Sequence, residues 1–257
     1  MAVETAHAAG DGIAIHLAPE IVGYAFGVPI TNTLITVWFV MVIVLVGAFL
    51  FKRNIALIPG KGQAAMETLV GGAFSYIKDT LGSEKLANKF FPLILTIFIF
   101  VLAINWVGLL PGVTSIGFYG ESHGHEKFIP LLYPGNTDLN ITIAFAIVAF
   151  FTIEIAGVLM LGFVKYAGKF INFKSPLGFL IGIIELISEL ARLVSFSFRL
   201  FGNIFAGKTL ILVALFFVPY VVPVPLLAFE IFVGFIQAFI FATLTLFFIK
   251  LAIEEPH

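Results

Sequence analysis

Cysteine is absent from the sequence, which excludes disulfides, thiolate metal sites and cysteine nucleophiles. Charge is scarce as well. Only 11% of the 257 residues are Asp, Glu, Lys or Arg, against about 25% in soluble domains. The net charge is −1 and no basic run or aromatic-basic platform occurs, so nucleic acid is not an expected partner. Gly60-Lys61-Gly62 lacks the GxxxxGK[ST] spacing of a phosphate loop. No Ser/His/Asp set or paired-carboxylate pocket suggests hydrolysis, and His123-Gly124-His125 is at most half a metal site. The first residues carry Glu4 and Asp11 in place of a cationic n-region, so a cleaved signal peptide is not expected.

What is abundant is apolar. Hydrophobic residues make up 60% of the chain, 31 residues are Phe, and the mean hydropathy is +1.11. These values describe an all-α polytopic membrane protein, with about five membrane passes and an amphipathic surface helix. Residues 1–33 read as an outer N-terminal tail, and 34–51 as a first span closed by Lys52 and Arg53. Over 60–88 the apolar residues recur at helical spacing opposite Glu67, Lys78 and Asp79. That helix either lies on the membrane or a partner, or packs on this chain's own loops. Residues 90–163 hold a second and a third span around an outer loop, and 177–253 a helical hairpin turned by Pro219, Pro223 and Pro225. The apolar run from Leu177 to Val218 is about twice a perpendicular span, so its helix is broken or strongly tilted. Lys52, Arg53, Lys61, Lys78, Lys85, Lys89, Lys165, Lys169, Lys174 and Lys250 alternate to one side, and only Lys127 falls opposite. The positive-inside rule then puts the N-terminus outside and the C-terminus in the cytoplasm.

One stretch of the hairpin is both apolar and charged. Glu185, Glu189, Arg192, Arg199 and Asn203 follow one another at spacings of four, three, seven and four, which makes one stripe on a helix turning about 100° per residue. A charge at the bilayer centre costs roughly 2.5–3.5 kcal/mol on insertion scales, so such groups mark ion pathways. Arg199 is a permanent positive charge too deep to snorkel, and it can make a passing carboxylate release its proton. Arg192 either pairs with Glu189 on its own helix or, with Glu185 and Glu189, lines an inner aqueous path. Asn203 and Gln237 either position Arg199 or make plain interhelical hydrogen bonds. An antiparallel register that sets Arg199 opposite Gln237 also brings Lys208 nearly opposite Glu230, as a proton relay or a buried ion pair. Asp138 and Asn140 open an outer path, or Asp138 caps the third span. Glu154 lies in mid-span and needs a partner.

Phe198-Arg199-Leu200-Phe201-Gly202-Asn203, followed by Ala206-Gly207, resembles the signature of the subunit a family of F-type ATP synthases. Gln237-Ala238-Phe239-Ile240-Phe241 with the Glu254-Glu255 tail, Thr137–Thr142, Gly108-Leu109-Leu110-Pro111 and Pro59…Gln63…Glu67 are similar to further motifs of that family, in order along nearly the whole chain. The resemblance implies a stator subunit, without catalytic activity alone, whose two long tilted helices lie against a rotating c ring. It implies Arg199 as the essential ring-facing arginine with Asn203 and Gln237 as its polar partners. It assigns Asp138, Asn140, Lys208 and Glu230 to an outer half-channel, and Glu185 and Ser195 to an inner one. The implied partners are the c-subunit ring, peripheral-stalk b subunits, the rest of the ATP synthase and the lipid bilayer, in a bacterial inner membrane. No cofactor is implied; the transported ion is expected to be H⁺, with Na⁺ as the alternative. Two positions depart from the pattern: Lys208 stands where the family often has His or Glu, and Glu154 matches no family residue. The rival expectation is a self-contained secondary transporter or channel, which would need its own substrate site and repeated halves.

Overall fold

The computed structural model describes residues 19–110, 112–122, 125–170, 176–219 and 221–254. Five helices in it are long and apolar enough to cross a membrane: α1 (Asn32–Arg53), α3 (Glu84–Val107), α4 (Leu139–Leu161), α6 (Pro176–Phe217) and α7 (Pro223–Ile253). Two shorter helices complete the set, α2 (Lys61–Leu81) and α5 (Phe163–Phe170).

Local chemistry fixes the helix ends. The Thr31 hydroxyl accepts from the Leu34 amide at the start of α1, and Asp138 accepts from the Asn140 amide at the start of α4. Lys52 and Arg53 occupy the last turn of α1, where cations favour the helix dipole. Gly82, at φ 66°, ends α2 in the left-handed conformation, so the periodicity of 60–88 divides there and 84–88 belong to α3. Proline opens both long helices, Pro176 in α6 and Pro223 in α7, where a missing N–H costs nothing.

Helix α6 is continuous for 42 residues, which settles the choice between a broken and a tilted helix. At ~1.5 Å per residue it is about 63 Å long, twice a ~30 Å hydrocarbon layer, so it cannot stand upright within one. Helix α7 returns beside it. Phe196 and Phe241 pack with ring centroids 5.1 Å apart, and a Cβ on Gly207 would strike the Glu230 carboxylate. Both contacts belong to one antiparallel register, since each step covers eleven residues on either helix. It lies within one residue of the alignment the polar pairs suggest.

Small residues hold the bundle together. Ala87, Ala146, Ala149, Ala156, Ala238, Ala242 and Ala252 are all at most 4% exposed. Lipid is as apolar as leucine, so helices in a membrane associate through close contact, which small side chains permit. One cluster packs α2, α3, α4, α5 and α7 around Phe90, Ile153, Tyr166 and Leu246; another joins α3, α4, α6 and α7 around Val101, Phe196, Leu200 and Phe241. Helix α2 does pack on this chain: Ile77 and Leu81 are buried in the first cluster, while Met66 and Leu69 near its start stay exposed.

Two antiparallel hairpins lie outside the bundle: β1 (Ile21–Ala25) with β2 (Val28–Thr31), and β3 (Gly117–Ser122) with β4 (His125–Pro130). The first turns through Phe26 at φ 51° and Gly27 at φ 81°. The second fills the outer loop. His123 falls outside the described residues, and no cluster of three His, Cys, Asp or Glu suited to a metal occurs among the described ones.

Candidate functional site: the polar face of α6

The polar stripe of α6 has two different surroundings. At its lower end α4 stops at Gly162, whose φ of 83° lets the chain turn back as α5 against α4 and α6. That places Lys169 over the stripe. Its Nζ lies 2.6 Å from Glu185 Oε1 and 3.5 Å from Glu189 Oε1. Glu189, only 2% exposed, gives its other oxygen to Arg192 at 2.5 Å. The Arg192 guanidinium in turn stacks 3.8 Å from the centre of the Phe248 ring on α7. Glu189 and Arg192 thus form the intrahelical pair, and Glu185 joins them through a lysine that the basic-residue count marks only as an inner-side charge.

Seven residues further on, none of the described residues folds over the stripe as α5 does. Arg199 is exposed, as are Ser195 and Phe198 beside it. Its polar contact is with its own helix, Nη2 donating to Ser195 Oγ at 3.2 Å. No carboxylate of the described residues lies within 4.0 Å of the guanidinium. Asn203 is half-buried and Gln237 buried, and neither hydrogen-bonds Arg199.

The upper part separates its charges. Glu230 is buried against bare Gly207, a contact possible only without a Cβ there. It makes no ion pair with Lys208, which corrects the expected acid–amine contact: Gly207 takes the place opposite Glu230, and the next residue points about 100° away. Lys208 Nζ is buried without a hydrogen bond, 3.2 Å from the centre of the Tyr133 ring. Burial, and to a lesser degree the charge of Glu20, raise the Tyr133 phenol above its ordinary value, so the ring facing the amine is neutral. Asp138 is buried and fully engaged: Thr33 Oγ1 donates to Oδ2 at 2.8 Å, and the Asn140 amide to Oδ1 at 2.9 Å. It thus caps α4 at the outer end of that span. Asn140 itself is exposed.

Three further contacts have no counterpart in the sequence reading. Asn105 Nδ2 donates 2.9 Å to the Gly234 carbonyl, and Trp106 Nε1 donates 3.1 Å to that of Ile231. These hold α3 to α7 midway between Glu230 and Gln237. The partner of Glu154 is Tyr166 on α5, whose hydroxyl donates to Oε2 at 2.9 Å. Burial first, and then the neighbouring carboxyl, push that phenol well up, so it keeps its proton and donates. The one available signal was spacing: Tyr166 and Lys169, three apart, share a face of α5.

The fold and site define an all-α integral membrane protein of five spans, with a long two-helix hairpin presenting one uncovered arginine. A family model described as ATP synthase A chain matches residues 34–250. Curated relatives include an ATP synthase subunit a 3 of Pelobacter propionicus, 34% identical over 223 residues and 86% of each chain. An ATP synthase subunit a of Campylobacter jejuni is 36% identical over 220 residues, covering 85% of this chain and 89% of that one. One of Moorella thermoacetica is 30% identical over 234 residues, 91% and 96% of the two chains. The chain belongs to the ATP synthase A chain family.

Proposed function

We propose that the chain is the ion-translocating stator subunit of a rotary ATP synthase, with two offset half-channels that load and unload carboxylates of a c ring. The observation that carries this reading is Arg199: a permanent cation on the open face of a long inclined helix, with a serine hydroxyl as its polar contact. Holding a guanidinium without a counter-charge in a membrane costs several kcal/mol. The cost is offset if the counter-charge arrives in trans on a moving partner. A carboxylate reaching Arg199 gives up its proton towards the inner side, and the arginine bars a direct leak between the half-channels. Neutralised from the outer side, the carboxylate returns to lipid without the penalty of a bare charge. Each charge crossing contributes ~2.3 kcal/mol per 100 mV, so several are coupled to one ATP.

In this reading Glu185, Glu189, Arg192 and Ser195 lie along the inner path, Asn203 and Gln237 beside the separator, and Asp138, Asn140, Lys208 and Glu230 along the outer one. The ion is H⁺, with Na⁺ as the alternative, and no cofactor takes part. The partners are the c ring, the peripheral-stalk b subunits and the rest of the synthase. The membrane is the bacterial inner membrane, with the C-terminus in the cytoplasm, as the basic-residue asymmetry requires. In reconstituted complex, Arg199→Ala should abolish ATP-driven pumping; coupled pumping at the parental rate would sink the assignment. Running the same measurement with and without Na⁺ decides the ion.

A further inference from the structure

Glu154, Tyr166 and Lys169 are not used by the mechanism above, yet they form one connected unit beside it. The Tyr166 hydroxyl is held by Glu154 Oε2 at 2.9 Å. The Tyr166 ring lies so close over Gly157 that a Cβ there would collide with it, so α4 is shaped to receive this side chain. Tyr166 is 4% exposed, which fixes α5 by a buried anchor. One helical turn on, Lys169 Nζ sits 6.0 Å from the Tyr166 ring centre and reaches both Glu185 and Glu189. The anchor thus decides where the ammonium stands.

We propose that Glu154 and Tyr166 are positioning residues of the inner ion path, acting through Lys169, which clamps Glu185 and Glu189 and sets the charge of that path. The proposal rests on the function proposed above. Among the described residues, the charged and titratable groups tied to the clamp are Glu154 from α4, Tyr166 from α5, and Glu185, Glu189 and Arg192 from α6, with Lys165 on the same short helix as Tyr166. Lys250 and Glu254, at the end of α7, pair with each other at 4.0 Å. Removing the Lys169 charge makes the path more negative by one unit, and added negative charge favours retention of protons.

The test is the pH profile of ATP-driven pumping, per ATP hydrolysed, by whole complex in proteoliposomes with the inner side facing the bath. Lys169→Gln should move the alkaline limb up by about one pH unit, and Lys169→Arg should restore it. Tyr166→Phe keeps the ring and loses only the hydroxyl; it should move the limb in the same direction by a smaller amount. A Tyr166→Phe profile coincident with the parent overturns the positioning role, and a coincident Lys169→Gln profile overturns the clamp. If Lys169→Gln prevents assembly, Tyr166→Phe alone decides. Arg199→Ala in the same preparation separates the two ideas: normal pumping there defeats the proposed function, whereas lost pumping with unmoved Lys169 and Tyr166 profiles defeats only this inference.

Discussion

Arg192 and Arg199 stand seven residues apart on one face of one helix, in opposite surroundings. Arg192 has a buried carboxylate at 2.5 Å and an aromatic ring stacked on its guanidinium. Arg199 is exposed and touches a serine. The helix treats both alike; the difference is what covers it. The short α5 folds over the lower part of the stripe and brings Lys169 to its acids, and among the described residues no element does the same at Arg199. The comparison separates charges that the fold satisfies from one that it leaves open. An open charge in a membrane protein points outward, to a partner.

The sharpest way to break this comparison is to remove both arginines in turn. Arg199→Ala should end coupled pumping yet leave the thermal stability of the subunit itself within about 0.5 kcal/mol of the parent, because on this chain the side chain is exposed. Arg192→Ala should do the reverse in kind. It leaves Glu189, 2% exposed, without one of its two cations, and breaking a buried pair costs about 3–5 kcal/mol. Thermal inactivation midpoints beside pumping rates check both. Equal losses of stability would mean that the two sites are not distinct.

A smaller effect tests the upper half. Gly207→Ala places a methyl group where the Glu230 carboxylate lies, so α6 and α7 must part or Glu230 must turn. Overpacking of this kind costs about 1–3 kcal/mol. Pairing the change with Glu230→Gly should recover most of that stability, because the methyl group then has room. Failure of the double variant to recover, with complex assembly as the readout, would show that the contact is not what limits this position.

These regions were unequally legible in the sequence. Five spans announce themselves because a membrane crossing needs some twenty apolar residues in a row, and the hairpin register was readable to within one residue from where its polar groups could meet. Long range and local irregularity hid the rest. Helix α5 has eight residues and follows α4 with a single glycine between, so Phe163 reads as the end of a span and the residues after it as the basic loop beyond. With α5 went Tyr166 as partner of Glu154 and Lys169 as partner of Glu185. The first hairpin turns through Phe26 and Gly27, without the Asn-Gly or Asp-Gly pair that usually marks such a turn. Lys208 is expected to face Glu230 on α7 but meets instead a ring 75 residues earlier in the outer loop, which is invisible to any local pattern.

That ring gives the smallest and most specific prediction. Lys208 Nζ is buried without a hydrogen bond, and what it meets is the face of Tyr133. A desolvated cation–π contact is worth about 2 kcal/mol. Tyr133→Leu should therefore lower the stability of the complex by about that amount relative to Tyr133→Phe, which keeps the ring. The main-chain amide of this residue donates to Thr36 Oγ1 at 2.9 Å whichever of the three side chains is present, and that bond drops out of the comparison. Lys208→Met removes the charge and the need for a ring, so Tyr133→Leu in that background should cost less than in the parent. The difference between the two costs is the coupling energy of the pair. A coupling near zero would mean that the lysine is held by packing of its stem, and that the ring merely lies beside it.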